Sequence, residues 1–252
     1  PLSTPGYVVS VSPAGVRTHT SGGLCVSDQD HISGMVCGTV LSDTHVAVGG
    51  VGSLYCLDTY LNLKIVSSHS RIDAMAMGYN KSKQNVVAGC SDGTLRLVDS
   101  RLRQEVAKIK SHTGGVTDLK LSHDGTLIVT TGLAARSGSA NIPYAFPDPH
   151  LLVYDSRYLG RGGTVHPFGG ANGAPRHVAF IPGTDTNTHR IIAASGQSEG
   201  GMQIVLPFEE ADSNPASYIF PQLGQGESMT CMSVQEDLLA VGTNMSNVLQ
   251  FE

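Results

Sequence analysis

The residues that could do chemistry are numerous but poorly arranged for catalysis. The 252-residue chain holds 10 histidines and 21 acidic residues, yet neither His-x-His nor His-Glu-x-x-His occurs, and these are the spacings that commonly bind a catalytic metal. The glycine-rich stretch at 48–54 (VGGVGSL) lies between two strand-like segments and opens no helix, which disfavours a phosphate-binding loop. We therefore expect no catalytic residue, no metal site and no cofactor in this chain.

Composition indicates one soluble, turn-rich domain. Hydrophobic residues make up 40% of the chain and charged residues 15%, with 30 glycines and 12 prolines, as turn-rich β structure requires. A net charge of -5 gives no overall basic footprint for nucleic acid. Five cysteines without a Cys-x-x-Cys pair predict buried, reduced thiols and a cytosolic or nuclear protein. No apolar run is long enough to span a membrane, and the start at Pro1 suggests a piece of a longer protein.

Three kinds of strand-like segment recur at roughly 40- to 55-residue spacing, which indicates a repeat architecture. An apolar segment often ending in aspartate occurs as LYCLDT (54–59), LRLVDS (95–100), LLVYDS (151–156), MQIVLP (202–207) and NVLQFE (247–252), with GLCVSD (23–28) as an earlier member. Before each comes a small-residue strand: HVAVGG (45–50), VVAGC (86–90), IVTTG (128–132), IIAASG (191–196) and LLAVGT (238–243). An alternating strand precedes that one, and EVAKIKSH (105–112) exemplifies a fourth. No segment has helical periodicity.

The repeat resembles the WD repeat, whose structural network joins a histidine, a turn aspartate and a tryptophan. His69 and Asp92 match the first two members, and the aspartate of the Trp-Asp pair persists as Asp58, Asp99 and Asp155. Val98 stands where the tryptophan would be, and His112 has no matching turn aspartate because the stretch 133–150 replaces the usual short turn. The resemblance implies an all-β, WD-repeat-like β-propeller of the seven-bladed type over residues 1–252. About five blades and a partial first blade are expected, hence an incomplete ring with an exposed apolar flank on its first blade.

A narrower resemblance rests on the insertion. The segment 130–168 resembles one blade of the catalytic subunits of PAN poly(A)-specific deadenylases, in which a Gly-x-x-x-Arg stretch, an insertion, Asp-Pro and Val-Tyr-Asp-x-Arg occur in order. Here these are Gly132, Arg136, Asp148, Pro149, Val153, Tyr154, Asp155 and Arg157. The segments HVAFIPG and IIAASGQSEGGMQIV resemble the next blade, with Leu206 in place of its aspartate.

This resemblance implies a non-catalytic propeller scaffold in a poly(A)-specific 3′-exoribonuclease that shortens messenger RNA tails in the cytoplasm, including P-bodies. The parent's exonuclease domain, with four acidic residues that bind Mg²⁺, is expected outside these 252 residues. The implied partners are the pseudokinase adaptor subunit of the PAN complex and the poly(A) ribonucleoprotein, that is, poly(A)-binding protein and the messenger RNA tail; no membrane is implied.

Two groups of residues are candidates for contacts with RNA or a partner. The first is a basic cluster of Arg101, Arg103, Lys108 and Lys110, with Arg96 nearby; it contacts RNA phosphates or an acidic partner, or it only protects a sheet edge. The second is the insertion at 133–150, interpreted either as a functional loop or as a disordered hairpin tip. Its candidate anchors are Tyr144 and Phe146, and Arg136 and Arg157 are further candidates for a contact with RNA or a partner.

Two other functional classes remain open at this point. The chain could be the WD-repeat adaptor of a different complex in trafficking, autophagy or ubiquitin ligation, and the domains beyond Glu252 in the parent protein would separate that interpretation from the deadenylase. It could also be a propeller enzyme. The alternating strands, which would lie nearest the propeller axis, carry only sparse charged or titratable residues, which disfavours the enzyme: Asp73, Asp118, Lys120, Arg176 and His177.

Overall fold

The computed structural model of the chain is built almost wholly from β-strands. It describes residues 2–4, 6–59, 63–100, 104–137, 143–168, 173–181, 189–195, 201–207, 217–219, 226–235 and 238–251. Among these residues there is no α-helix, and the helical structure is a short 3-10 helix at Leu159–Arg161. The expectation of an all-β fold is therefore confirmed.

The N-terminal part of the chain forms three antiparallel sheets of four strands each, in which neighbouring strands follow chain order. Sheet 1 contains β1 (Leu2–Thr4), β2 (Tyr7–Ser12), β3 (Gly15–Thr20) and β4 (Cys25–Gln29). Sheet 2 contains β5 (Met35–Ser42), β6 (His45–Gly50), β7 (Ser53–Asp58) and β8 (Lys64–Ser70). Sheet 3 contains β9 (Ala74–Asn80), β10 (Asn85–Cys90), β11 (Thr94–Asp99) and β12 (Gln104–Lys110).

The C-terminal part forms three further antiparallel sheets. Sheet 4 contains β13 (Val116–Leu121), β14 (Leu127–Ser137), β16 (His150–Asp155) and β17 (Thr164–Pro167), with β15 (Pro143–Pro147) paired to β14. Sheet 5 contains β18 (Pro175–Ile181), β19 (Arg190–Ser195), β20 (Gly201–Val205) and β21 (Ser217–Ile219). Sheet 6 contains β22 (Met229–Gln235), β23 (Leu238–Thr243) and β24 (Val248–Phe251).

These sheets match the predicted repeat closely, and about five to six blades are present as six sheets among the described residues. Two details of the prediction are wrong. The segment GLCVSD is not a third strand, because β4 pairs with β3 as the outer strand of sheet 1. The expectation of a partial first blade is also wrong, because sheet 1 has four strands.

The small residues of the second strands are explained by close packing between neighbouring sheets. Every residue of β10 is buried, and a Cβ added at Gly89 would lie 2.5 Å from a methyl of Val116. A Cβ at Gly49 would lie 2.7 Å from both the Ala74 Cβ and the Met77 sulfur. Glycine and alanine are needed here because a larger side chain would force the sheets apart.

Within each half of the chain, the core consists of apolar layers between consecutive sheets. The chain divides into two compact units, residues 1–117 and 118–252. In the first unit, Val9 and Val46 belong to a layer between sheets 1 and 2, and sheets 2 and 3 share another layer. In the second unit, Leu151 and Val178 belong to the layer between sheets 4 and 5, and sheets 5 and 6 share another. Each fully buried aliphatic side chain contributes roughly 1.5–3 kcal/mol, so each sheet is stabilised chiefly by its neighbours.

The cysteines only partly match the expectation of buried thiols. Cys56 and Cys90 are buried and Cys37 is half-buried, but Cys25 and Cys231 are exposed. Cys25 lies on the outer strand β4, and Cys231 lies next to the register shift at the start of β22. All five are free thiols.

Candidate functional site

Three aspartates end third strands at equivalent positions. Asp58, Asp99 and Asp155 are the last residues of β7, β11 and β16. Each lies opposite the first residue of the second strand of its sheet. The repeat pattern therefore places the three carboxylates at one register, although their role in a structural network remains a prediction.

The turn aspartate Asp92 is held by its own hairpin. Its Oδ1 accepts hydrogen bonds from the backbone N–H and the hydroxyl of Thr94, at 3.0 and 2.5 Å. Partial burial opposes the ionisation of Asp92, but the hydrogen bonds from Thr94 and the charge of Arg96 outweigh it and lower its pKa. His69 is half-buried on β8 and His112 is almost fully buried, and their predicted network roles stay predictions.

The basic cluster proves to be mixed in charge. The Arg96 guanidinium lies 3.3 Å from Glu105 and 3.5 Å from Asp92. The Lys108 ammonium lies 3.8 Å from the Asp92 carboxylate, and Lys110 donates to the Asp92 carbonyl at 2.5 Å. These three cations therefore already have local partners.

The position of the cluster favours edge protection. Lys108 and Lys110 are on the outer strand β12, where lysine discourages strand addition. Arg101 and Arg103 lie outside the described residues, so their part in a contact with RNA or a partner stays a prediction.

The two flanks of the insertion pair as a β-hairpin. Its tip, residues 138–142, lies outside the described residues, so the choice between a functional loop and a disordered tip stays open. Strand β14 continues to Ser137 and pairs with β15, so that Ala134 faces Phe146 and Arg136 faces Tyr144. The two predicted anchors lie on one side of β15, with ring centres 6.0 Å apart. The Arg136 guanidinium lies over the Phe146 ring at 5.4 Å, and Tyr144 is 52% exposed. The hairpin therefore presents one cation and two aromatic rings together.

Asp148 forms hydrogen bonds at the base of this hairpin. Its Oδ1 accepts hydrogen bonds from the backbone N–H and the Nδ1–H of His150, at 3.1 and 2.9 Å. The Asp148 N–H donates to the Gly132 carbonyl at 3.0 Å. The Asp-Pro pair singled out in the sequence thus closes the hairpin where it joins the sheet.

A second aromatic and cationic group lies in the loop between β16 and β17 and consists of Arg157, Tyr158 and Arg161. Of these three residues, only Arg157 is predicted from the sequence. Arg157 binds the Asp155 carboxylate, with closest contacts of 2.7 and 3.0 Å. The guanidinium groups of Arg157 and Arg161 lie 5.7 and 4.6 Å from the centre of the Tyr158 ring. The signal in the sequence is R-Y-x-x-R, because a spacing of three residues brings side chains together on a 3-10 turn.

Potential metal-binding side chains are scattered over the described part of the chain. No group of three or more metal-binding side chains lies close together there. On the alternating strands, the His177 Nε2 lies 3.3 Å from the Met229 carbonyl, and Asp118 accepts from the Val178 N–H at 3.1 Å. Each contact joins a side chain on one strand to the backbone of a strand in the next sheet, which is a structural role.

One further motif has the spacing of a nucleophile elbow. Gly196, Ser198 and Gly200 form Gly-x-Ser-x-Gly, a pattern that needs a strand followed by a helix. Here the motif runs from the end of β19 to the start of β20, so the next element is a strand; residues 196–200 themselves lie outside the described residues. Among the described helices, none has the length and apolarity to cross a membrane.

Comparison with known proteins identifies the repeat. Residues 61–99 and 103–142 match the family model "WD domain, G-beta repeat". Eukaryotic translation initiation factor 3 subunit I of Anopheles gambiae is 32% identical over 79 residues, covering 31% of this chain and 24% of that protein. The same subunit of Culex quinquefasciatus is 26% identical over 98 residues, covering 34% and 30%. The matched region thus spans less than a third of the length of these curated relatives.

Solved structures show the same fold at low sequence identity. The Neurospora crassa Pan2 WD40 domain superimposes with a TM-score of 0.75 at 16% identity, over 97% of this chain and 71% of that one. The RRP9 WD40 repeats give 0.74 at 14% identity, over 98% and 73%. U3-55K gives the same score and identity, over 98% and 74%. The chain therefore contains WD40 repeats, and its four-stranded antiparallel sheets are those of a WD-repeat β-propeller fold.

Proposed function

We propose that this chain is the non-catalytic WD40 scaffold of a poly(A)-specific 3′-exoribonuclease that shortens messenger RNA tails. The observation that carries the proposal is the hairpin inserted between the second and third main strands of sheet 4. It begins after Gly132, includes Arg136, is closed by Asp148, and is followed by the Val-Tyr-Asp-x-Arg run. The likeness in fold to the Pan2 WD40 domain is compatible with this proposal.

In this proposal the chemistry belongs to another domain of the parent protein. The exonuclease domain supplies the acidic residues and the Mg²⁺, and the WD40 scaffold holds that domain on its substrate. The proposed partners are the pseudokinase adaptor subunit and the poly(A) ribonucleoprotein, and the proposed location is the cytoplasm, including P-bodies. The contacts come from the hairpin, because the exposed Arg136 and Tyr144 lie beside the half-buried Phe146 in a group of the kind enriched at binding hot spots.

The alternative is a WD-repeat adaptor of another assembly. The sequence matches to a translation initiation factor subunit cover only 31% and 34% of this chain, so they do not decide between the two interpretations. The two differ in what the parent protein does to an adenylated RNA.

The test uses the endogenous parent protein. We expect the immunopurified parent to shorten an RNA with an A-tail in the presence of Mg²⁺, and to carry a pseudokinase adaptor detectable by mass spectrometry. The absence of shortening, with subunits of a ligase or trafficking complex in the preparation, would show that the alternative is correct.

Two variants of the parent test the hairpin itself. Tyr144→Ala is expected to reduce recovery of the adaptor by about tenfold, since hot-spot truncations cost roughly 1–2 kcal/mol or more. Tyr7→Ala is the matched control, because Tyr7 is a partly exposed tyrosine of sheet 1 at 39% exposure. Equal recovery from both variants would exclude the hairpin as the contact.

A further inference from the structure

The loop between β16 and β17 holds an aromatic and cationic pair on a rigid turn. The Tyr158 N–H donates to the Asp155 carbonyl at 3.0 Å, and the Arg161 N–H donates to the Tyr158 carbonyl at 2.9 Å. This second bond closes the 3-10 turn and brings the Arg161 guanidinium 4.6 Å from the centre of the Tyr158 ring. The backbone of the turn therefore places Tyr158 and Arg161 side by side.

The two arginines of the loop differ in whether their guanidinium groups already bind a carboxylate. Arg157 directs its guanidinium at the Asp155 carboxylate, with contacts of 2.7 to 3.2 Å. Arg161 is exposed and has no acidic partner within the described residues. The donors of Arg161 are consequently available to an anionic ligand.

The surface around this pair is open. A Cβ added at Gly160 or Gly162 would meet no atom within 4 Å, and Tyr158 is 52% exposed. Behind the turn, a Cβ at Gly163 would lie 2.7 Å from the Tyr154 ring, which keeps the loop close to the sheet. A planar ligand can thus approach Tyr158 and Arg161 without meeting neighbouring side chains from the turn itself.

We propose that Tyr158 and Arg161 form a binding site for single-stranded RNA. One base packs against the Tyr158–Arg161 pair, and the adjoining phosphate binds the Arg161 guanidinium. Aromatic rings beside arginine are the usual platform for unpaired bases, and Arg161 stands in a Gly-Arg-Gly-Gly stretch of the kind found in single-strand-binding segments. An apolar peptide would need a groove, and this turn presents a polar, open surface instead.

This site goes beyond the proposed scaffold function. It lies at the end of β16 where Asp155 ends the strand, whereas the inserted hairpin joins sheet 4 at the His150 end. Loss of RNA binding at this loop would leave adaptor binding through the hairpin unchanged, so the two proposals fail separately.

The test measures fluorescence anisotropy of a labelled oligoadenylate of about 15 nucleotides, the upper site size of a compact single-strand-binding domain, with the 252-residue chain. Tyr158→Ala and Arg161→Ala are each expected to weaken binding by about tenfold, the usual effect of removing one stacking side chain. Tyr158→Phe keeps the ring and is expected to bind like the wild type. Arg161→Lys keeps the charge but loses the planar group, so binding should weaken several-fold.

Arg176→Ala is the matched control, because Arg176 is an exposed arginine on β18 of the same unit. The site is supported if this variant binds like the wild type and if a duplex of the same length competes poorly. The proposal is overturned if the wild type does not bind the RNA, if Arg176→Ala weakens binding as much as Arg161→Ala, or if the duplex competes equally. Binding of a phosphorylated peptide instead of RNA, with the same dependence on Tyr158 and Arg161, would also overturn it.

Discussion

The carboxylate of Asp124 lies 3.5 Å from the His189 imidazole, so the turn at the end of β13 contacts the start of β19 in the next sheet. Asp124 also accepts hydrogen bonds from the Ser122 hydroxyl at 2.6 Å and from the Thr126 N–H and hydroxyl at 3.1 and 2.7 Å. One exposed turn residue thus fixes both its own hairpin and a contact between two sheets.

The Asp124 carboxylate is predicted to stabilise the fold in a pH-dependent way. Partial burial would raise its pKa, but the hydrogen bonds from Ser122 and Thr126 outweigh burial and lower the pKa to about 2. Because the folded-state pKa is below the unfolded value, this contribution is complete above about pH 4 and is lost as the pH falls towards 2. Asp124→Ala should lower the free energy of unfolding by about 1 kcal/mol at pH 7 and by less at pH 3, as measured by urea denaturation.

His177 should make the second unit less stable in mild acid. Burial lowers its pKa, although the charge of Asp118 raises it in part, and its Nε2 lies 3.3 Å from the Met229 carbonyl. A histidine with a lowered folded-state pKa contributes fully above its unfolded value, about 6.5, and destabilises the fold as the pH drops below that value. His177→Gln is therefore expected to flatten the fall in unfolding free energy between pH 7 and pH 5.

The control for this measurement is His123→Gln, since His123 is exposed in the turn between β13 and β14. It should retain the pH dependence of the wild type. A flattened profile in the control, or an unchanged one in His177→Gln, would contradict the assignment.

Two glycines have nearly the same φ, but replacing them with alanine is predicted to reduce the stability of the fold by very different amounts. Gly93 has φ +75, and a Cβ there would lie 2.0 Å from the Gly114 oxygen and 2.1 Å from the His112 oxygen. Gly52 has φ +74, and a Cβ there would meet nothing within 4 Å. Gly52→Ala should cost about 1 kcal/mol of stability from the left-handed backbone alone, whereas Gly93→Ala should cost roughly 3 kcal/mol or more, since the backbone must also shift.

Thermal denaturation of the two glycine variants measures the difference directly. A larger loss in Gly93→Ala would show that the turn of sheet 3 is held against the segment 112–114. Similar losses in both variants would mean that this close approach contributes nothing beyond the backbone angle.

The five thiols should fall into two reactivity classes. Burial raises the pKa of Cys37 to about 12 and also raises the pKa of Cys90, and Cys56 is buried. Since the thiolate is the reactive species, a thiol reagent at about pH 8 should modify Cys25 and Cys231 quickly and the other three only after denaturation. The double variant Cys25→Ser and Cys231→Ser should lose the fast phase; a fast phase that persists would place one of the other thiols at the surface.

Much of the architecture is predictable because its signals are local. The alternation of VTDLKL corresponds residue for residue to β13, and HVAVGG to β6. The prediction for GLCVSD is wrong because a short alternating segment carries no information about which neighbour it pairs with. For a similar reason, the sequence does not show that the flanks of the insertion form a hairpin. The pairing of Arg136 with Tyr144 requires two separate strands to meet.

The sequence by itself determined the strand repeat, its turns and its WD-like character, because side-chain alternation, small residues and Asp-Gly turns act over a few neighbouring residues. Only the tertiary structure decided which charges are already paired. Arg96 and Lys108 have carboxylates within 4.0 Å, whereas Arg161 has an aromatic ring beneath it and no acidic partner among the described residues. Such differences depend on distances between side chains, and composition and order along the chain do not contain those distances.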